Sequence, residues 1–466
     1  MKINQLINQP FVHSDVAYAF SDRAFVQAML DFELSVIQVR ESNHLIPCGI
    51  FQQTKQALAL ELFDIESIGA HTYLGGNAAI PFVTQAKALL PSELKPYFHQ
   101  TLTSQDVIDT AMMILLKPSI TRINQDLFDV LHACKALIQK HCTTPMAGRT
   151  LMQQALPITF GAKVSQWAAS LLTVMPSLTR LEHSGCYLQW GGPVGVSNEE
   201  NEHHNLPQQV AESLGLSAPM LPWHTNRQPI HAIASALDAC AGAIESIVED
   251  IALMSQSELG EIAEPAIEGM GGSSSMPHKR NPVLCALIKT SALRMHGHLS
   301  VISNTTAQPF ERALGQWHAS WVPLTEGAAL IAGAVAYLKT LLQGLQVYPE
   351  RMAANLDLNS NAYLIKALEK HFETDSQMTA LIRQASEQAH RQHIGFVATF
   401  FALLAEQPND SGKYSILKEN SELKEILSPL TYCGAAQRQC QVLLTAIDEF
   451  TAPLDNVSDD TWLTGK

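Results

Sequence analysis

Twelve consecutive residues, Gly271-Gly272-Ser273-Ser274-Ser275-Met276-Pro277-His278-Lys279-Arg280-Asn281-Pro282, bring together the groups that could do chemistry in this chain. Paired glycines let backbone N–H groups turn toward a ligand, and Lys279 and Arg280 add positive charge. Pro277 and Pro282 stiffen the segment and keep it out of regular helix. Such a loop handles an anion, a carboxylate or a phosphate. The chain as a whole carries a formal net charge of −14, so an anionic substrate needs a locally positive pocket. Arg149 and Arg312, far away in sequence, are the other cations that stand in distinctive strings.

Gly272 to Pro282 reads Gly-Ser-Ser-x-Met-Pro-x-Lys-x-Asn-Pro, which resembles the signature of the fumarase/aspartase superfamily. Two further strings resemble that superfamily's other blocks, in the same order: Thr103-Ser104-Gln105-Asp106-Val107-Ile108-Asp109-Thr110 and Gly148-Arg149-Thr150-Leu151-Met152-Gln153-Gln154-Ala155-Leu156-Pro157. Phe20 to Ala24, Gln27 to Glu33, Gly76-Asn77-Ala78-Ala79-Ile80-Pro81 and Glu311 to His318 look like its 3-carboxymuconate cycloisomerase branch. The resemblance spans about the first three quarters of the chain and fades beyond about residue 355.

The resemblance implies a definite chemistry. A proton moves on or off the carbon next to a carboxylate, through an aci-carboxylate carbanion, while a group leaves or joins the neighbouring carbon. By motif position Ser273 is the proton-transfer residue, and Lys279 and Asn281 hold the carboxylate as charge builds on it. A serine needs neighbouring dipoles and cations to ionise, and Lys279 and His278 are at hand. Asn77, Thr103, Ser104, Arg149, Thr150, Gln153, Gln154 and Arg312 are the expected substrate-binding residues. His141, His278 and His318 are secondary proton-transfer candidates.

Two positions depart from relatives. Fumarases carry a histidine where this chain has Leu151, and adenylosuccinate lyases carry one where it has Gln154. An amine or hydroxide leaves badly without a proton, whereas a carboxylate, whose acid has a pKa of about 4, departs or attacks as a stable anion. The neutral pair therefore suits lactonisation of 3-carboxymuconate to 4-carboxymuconolactone, a step of protocatechuate catabolism in the branch it resembles. The alternative is elimination of fumarate in the manner of adenylosuccinate lyase. Neither metal nor cofactor is expected.

The elements that would carry these strings read as long helices. Ile233, Leu237, Cys240, Ile244, Ile247, Ile251 and Met254 recur in steps of three and four, so a helix of roughly 28 residues should start after Pro229 and end before Gly260. Thr110 to Cys142, Pro157 to about Leu181, Pro282 to about Thr306 and Pro323 to Leu345 read likewise. The expected fold is all-α, an elongated bundle of long helices in three domains: residues 1–110, a central bundle and oligomerisation domain 111–355, and a small helical domain 356–466. Such wide apolar faces ask for neighbouring subunits, and the resemblance implies a homotetramer whose chains share active sites.

Composition excludes other classes. With 46% hydrophobic residues the chain has ample core, and its net charge and lack of basic clusters argue against nucleic acid. The eight cysteines are scattered singly, without a C-x-x-C pair, and read as reduced thiols. The apolar run Gly327 to Leu338 is shorter than the roughly 20 residues that span a bilayer. A cytoplasmic location and a small anionic tricarboxylate substrate, with no membrane partner, are expected.

Overall fold

The computed structural model describes residues 5–12, 14–272, 276, 279–359, 362–392, 394–407 and 420–455. The fold is all-α. In chain order the elements used below are helices α1 (Asp22–Ser42), α2 (Ile65–Gly75), α3 (Ala79–Leu89) and α4 (Ser104–His141), strands β1 (Pro145–Thr150) and β2 (Gln153–Thr159), and helices α5 (Phe160–Ser184), α6 (Gln228–Met254), α7 (Val283–Asn304), α8 (Trp321–Gln343) and α9 (Pro349–Asn359).

The seven-residue apolar seam of α6 is wholly buried, none of its members more than 3% exposed, as its three-four spacing requires. The long helix expected from Thr110 starts six residues earlier, at Ser104. There Thr103 is the N-cap and the Asp106 carboxylate accepts from the Thr103 N–H at 3.0 Å, the reciprocal half of a capping box. Pro118 and Pro176 lie inside helices α4 and α5. Pro157 does not start a helix; it belongs to β2, and α5 begins only after Thr159, whose hydroxyl accepts from the Ala162 N–H at 3.1 Å.

The residues group into two compact units, neither a continuous piece of chain: 1–127, 174–245 and 286–338 in the first, and 128–173, 246–285 and 339–466 in the second. Long helices α4, α5, α6 and α8 each give residues to both. In the second unit, described residues between Leu364 and Leu423 build a core of their own from Leu368, Ile382, Ala385, Phe396, Phe400 and neighbours. Helix α6 and the helical stretch Gln316–Gln343 have the length and apolar composition of membrane spans, and more than half of each such window is buried within the chain. That is the pattern of core helices.

Within the first unit, His296 on α7 is gripped by two carboxylates of α6, Nδ1 to Asp238 at 2.6 Å and Nε2 to Glu245 at 3.2 Å. Burial would lower its pKa, but the two hydrogen bonds and charges outweigh it and the net shift is upward. On its own helix His298 moves the opposite way through burial, facing Glu326 and Arg294. A folded-state pKa above the unfolded one means that the grip stabilises fully below about pH 6.5, the unfolded value, and fades as pH rises through the folded value. The melting temperature of the native chain minus that of His296→Gln should therefore shrink from pH 5.5 to pH 8. A constant difference would show that the grip is indifferent to the proton.

Candidate active site

The helix-starting block builds a candidate anion-binding cluster within the first unit. Asp106 and Asp109, one turn apart on α4, are fully buried. The Asp106 carboxylate accepts four hydrogen bonds: from the N–H groups of Thr103, Gly191 and Gly192 and from His224 Nε2 at 2.8 Å. Asp109 takes a bidentate pair from Arg227, at 2.6 and 3.1 Å, and the Trp317 indole N–H at 3.0 Å. Buried carboxylates so fully partnered are anchors for the backbone around them. What they hold in place is Thr103, whose hydroxyl accepts from Arg312 Nη1 at 2.6 Å, while the Arg312 guanidinium lies over the Trp317 ring. Arg312 has no carboxylate partner among the described residues, so its charge is available to an anion. Ser104 occupies the first helical position, half-buried.

Two other expected residues belong to this unit. His318 is exposed and packs against Trp317 and Trp321, with ring centroids 5.0 and 4.8 Å away. Its Nε2 also lies beside the turn at Gly76, 3.5 Å from where a side chain there would begin. Asn77 is buried in that turn; its Nδ2 donates to Gly75 O, and its Oδ1 has no partner among the described residues.

The second unit holds the other two blocks. In the β1–β2 hairpin, Arg149 pairs with Gln154 and Thr150 with Gln153, so each pair shares one face of the ribbon. Thr150 and Gln153 are exposed. Arg149 forms a bidentate ion pair with fully buried Glu261, at 2.6 and 2.9 Å, and Glu261 also accepts from Asn355 Nδ2. The expected free cation is thus already paired, and Arg149 carries far less charge to a ligand than the sequence suggests. Leu151 and Met152, at the tip, both have positive φ (49° and 64°) and are 97% and 74% exposed. Side chains rarely accept that conformation.

Lys279, Arg280 and Asn281 line a cavity of about 730 Å³ together with Gly271, Glu264 and Tyr348, a volume usual for small-molecule sites. The loop closes on itself where Gly271, with φ of 73°, offers its carbonyl to both the backbone N–H and the side-chain amide of Asn281. A side chain at Gly271 would meet the Asn281 carbonyl at 2.9 Å. Glu264 accepts from the Leu284 and Cys285 N–H groups and so caps α7. Arg280 donates to Gln346, while the Lys279 side chain is exposed and has no carboxylate partner among the described residues. Ser273 and His278 lie outside the described residues. His141, at the end of α4, is buried against Phe160, with Nδ1 at 3.1 Å from the Thr144 hydroxyl. Burial, then the nearby Lys140 charge, lowers its pKa, which favours a neutral imidazole.

Sequence reading did not single out His224, Arg227 or Glu261. The two aspartates stand three apart in the first block, a spacing that puts both on one helix face, and two acids on a buried face would have called for basic partners such as His224 and Arg227. Glu261 offered none.

Residues 53–297 match the family profile described as Lyase. The chain is 34% identical to 3-carboxy-cis,cis-muconate cycloisomerase of Pseudomonas aeruginosa, over 93% of this chain and 94% of that protein. It is 33% identical to nitrosuccinate lyase of Streptomyces davaonensis over 90% of each. The solved structure of 3-carboxy-cis,cis-muconate lactonizing enzyme from Pseudomonas putida superposes with a TM-score of 0.83 at 30% identity, covering 96% of this chain and 100% of that one.

Proposed function

The chain belongs to the fumarase/aspartase superfamily, and within it we propose that this enzyme is a 3-carboxy-cis,cis-muconate cycloisomerase forming 4-carboxymuconolactone. The observation that carries the reading is the hairpin tip: Thr150, Leu151, Met152, Gln153 and Gln154 include no titrating side chain. A reaction served there must have a nucleophile or leaving group that is stable as an anion.

In the lactonising direction a substrate carboxylate oxygen bonds to one carbon of the conjugated double bond. The π electrons move to the neighbouring carbon and into its own carboxylate. Ser273 Oγ–H then delivers a proton to that carbon, and in the reverse direction the Ser273 alkoxide recovers it. Lys279 and Asn281 hold the carboxylate that receives the negative charge, and the uncommitted charge of Arg312 with the Thr103 hydroxyl, supplied by another subunit of the proposed homotetramer, holds another. Ser104, Asn77, Thr150, Gln153 and Gln154 are further hydrogen-bonding groups for a tricarboxylate. His141, His278 and His318 remain secondary proton-transfer candidates; His141 suits the role least, because it is buried in packing. Arg149 serves mainly to neutralise Glu261. The reading includes a homotetramer with shared active sites and a cytoplasmic location.

A second reading, elimination from nitrosuccinate, is favoured by the Streptomyces relative. A nitro group departs as nitrite, another stable anion, so the neutral hairpin admits it as well. Purified protein mixed with 3-carboxy-cis,cis-muconate should bleach the ultraviolet absorbance of the diene. Nitrosuccinate and adenylosuccinate, followed as fumarate release, should give no turnover. Fumarate from either at about one per second or faster, within ordinary turnover rates, with an unbleached diene, would overturn the assignment.

A further inference from the structure

We propose that His224 is a positioning residue that sets substrate affinity through Asp106, Thr103 and Arg312. This rests on the reading of Thr103 and Arg312 as carboxylate ligands. His224 is 2% exposed, and among the described residues its side chain reaches the candidate site through one hydrogen bond, Nε2–H to Asp106 Oδ1 at 2.8 Å. That oxygen also takes the Gly191 N–H, and the other takes the N–H groups of Gly192 and Thr103. Asp106 therefore gathers three separate stretches of chain: the start of α4, the glycine turn at 191–192, and the segment 223–227. The last is itself pinned, since Trp223 donates to Gln189 and Leu188 and Gln105 donates to the His224 carbonyl.

Arg312 is consequently held from two directions. Its Nη1 donates to Thr103, fixed by Asp106 and His224, and its plane rests on Trp317, fixed by Asp109 and Arg227. An arginine has long, flexible reach, and only such fixed neighbours keep its fork in the geometry a carboxylate needs. The two buried aspartates divide the task. Asp109 and Arg227 form a closed ion pair, whereas the Asp106 partners are backbone amides and one imidazole, so losing His224 leaves one carboxylate oxygen held by the Gly191 N–H alone. His224 Nδ1 is buried without a partner among the described residues, which leaves the Asp106 bond as the interaction that orients the ring.

The test compares two amides that differ in reach. Glutamine can place its Nε2 near the imidazole Nε2, while asparagine falls short of Asp106. His224→Asn should raise KM for 3-carboxy-cis,cis-muconate about ten-fold or more with kcat little changed, because a holder of a non-reacting carboxylate contributes uniform binding. His224→Gln should restore KM to within about three-fold of the native value. Affinity for the unreactive tricarboxylate tricarballylate, measured by calorimetry, should follow the same order. If His224→Asn does not fold, His224→Leu, which fills the buried space without a donor, cuts the same link and should give the same KM-only loss.

Turnover with KM equal in the Asn, Gln and native proteins overturns the inference and leaves the cycloisomerase reading intact. Loss of kcat alone would do the same. Tricarballylate binding that weakens in His224→Asn and recovers in His224→Gln, in a protein without cycloisomerase turnover, supports the inference and sinks the activity. Absence of both turnover and binding in the native protein overturns both.

Discussion

Replacing Ser273 by alanine is expected to lower cycloisomerase turnover by about 10²-fold or more, the usual contribution of a general acid–base group, with the melting temperature unchanged. The hydroxyl is asked to carry the one proton of the reaction, and the hairpin tip offers no substitute. Water can protonate a carbanion slowly, so a residual rate should persist and lose its dependence on pH. A variant that keeps half the native rate would move the proton to another group. His278 is then the first candidate by position, since His141 is packed against Phe160 with a pKa lowered chiefly by burial.

Lys279→Met should cost about 10² to 10³ in kcat and much less in KM. The ammonium is exposed in a cavity of about 730 Å³ and has no carboxylate partner among the described residues. Arg280 beside it is occupied by Gln346. Its attraction for the substrate carboxylate grows as that group takes on the second negative charge, so its loss is felt most in the transition state. Methionine keeps the length and the apolar stem and removes only the charge. A raised KM with unchanged kcat would make Lys279 a uniform binding residue, and the aci-carboxylate would need a different holder.

The strings proposed to carry the chemistry stand out in the sequence because each is local. The loop around Lys279 and Asn281 is a continuous string, and its turn at Gly271 is written in residue type, since only glycine accepts that φ so close to the Asn281 carbonyl. The α6 seam was equally plain, because a buried helix face repeats at the helix period. Helix ends were less so. Thr110 looked like a start because the apolar pattern strengthens there, but the helix begins at Ser104, where Asp106 caps Thr103. Pro157 looked like a first helical residue and is a strand residue, since pairing with β1 satisfies the hairpin backbone first. Domain boundaries drawn at residues 110 and 355 follow the chain, whereas contacts gather residues from several stretches, because long helices give residues to both units.

By itself, the sequence determined the all-α class, the superfamily, the cation-bearing glycine loop and the absence of titrating side chains from Thr150 to Gln154. These depend on residue type, on short spacings and on helical period, all local properties. Only the tertiary structure decided which charges are free. Arg149 and Arg312 look alike in sequence, yet Arg149 is bound at both Nη atoms by buried Glu261, while Arg312 meets a hydroxyl and an indole face. Glu261 is 112 positions from Arg149, and Thr103 is 209 from Arg312. A guanidinium's availability depends on which carboxylate the fold brings within about 3 Å and takes out of water, and no local pattern encodes a meeting at that separation.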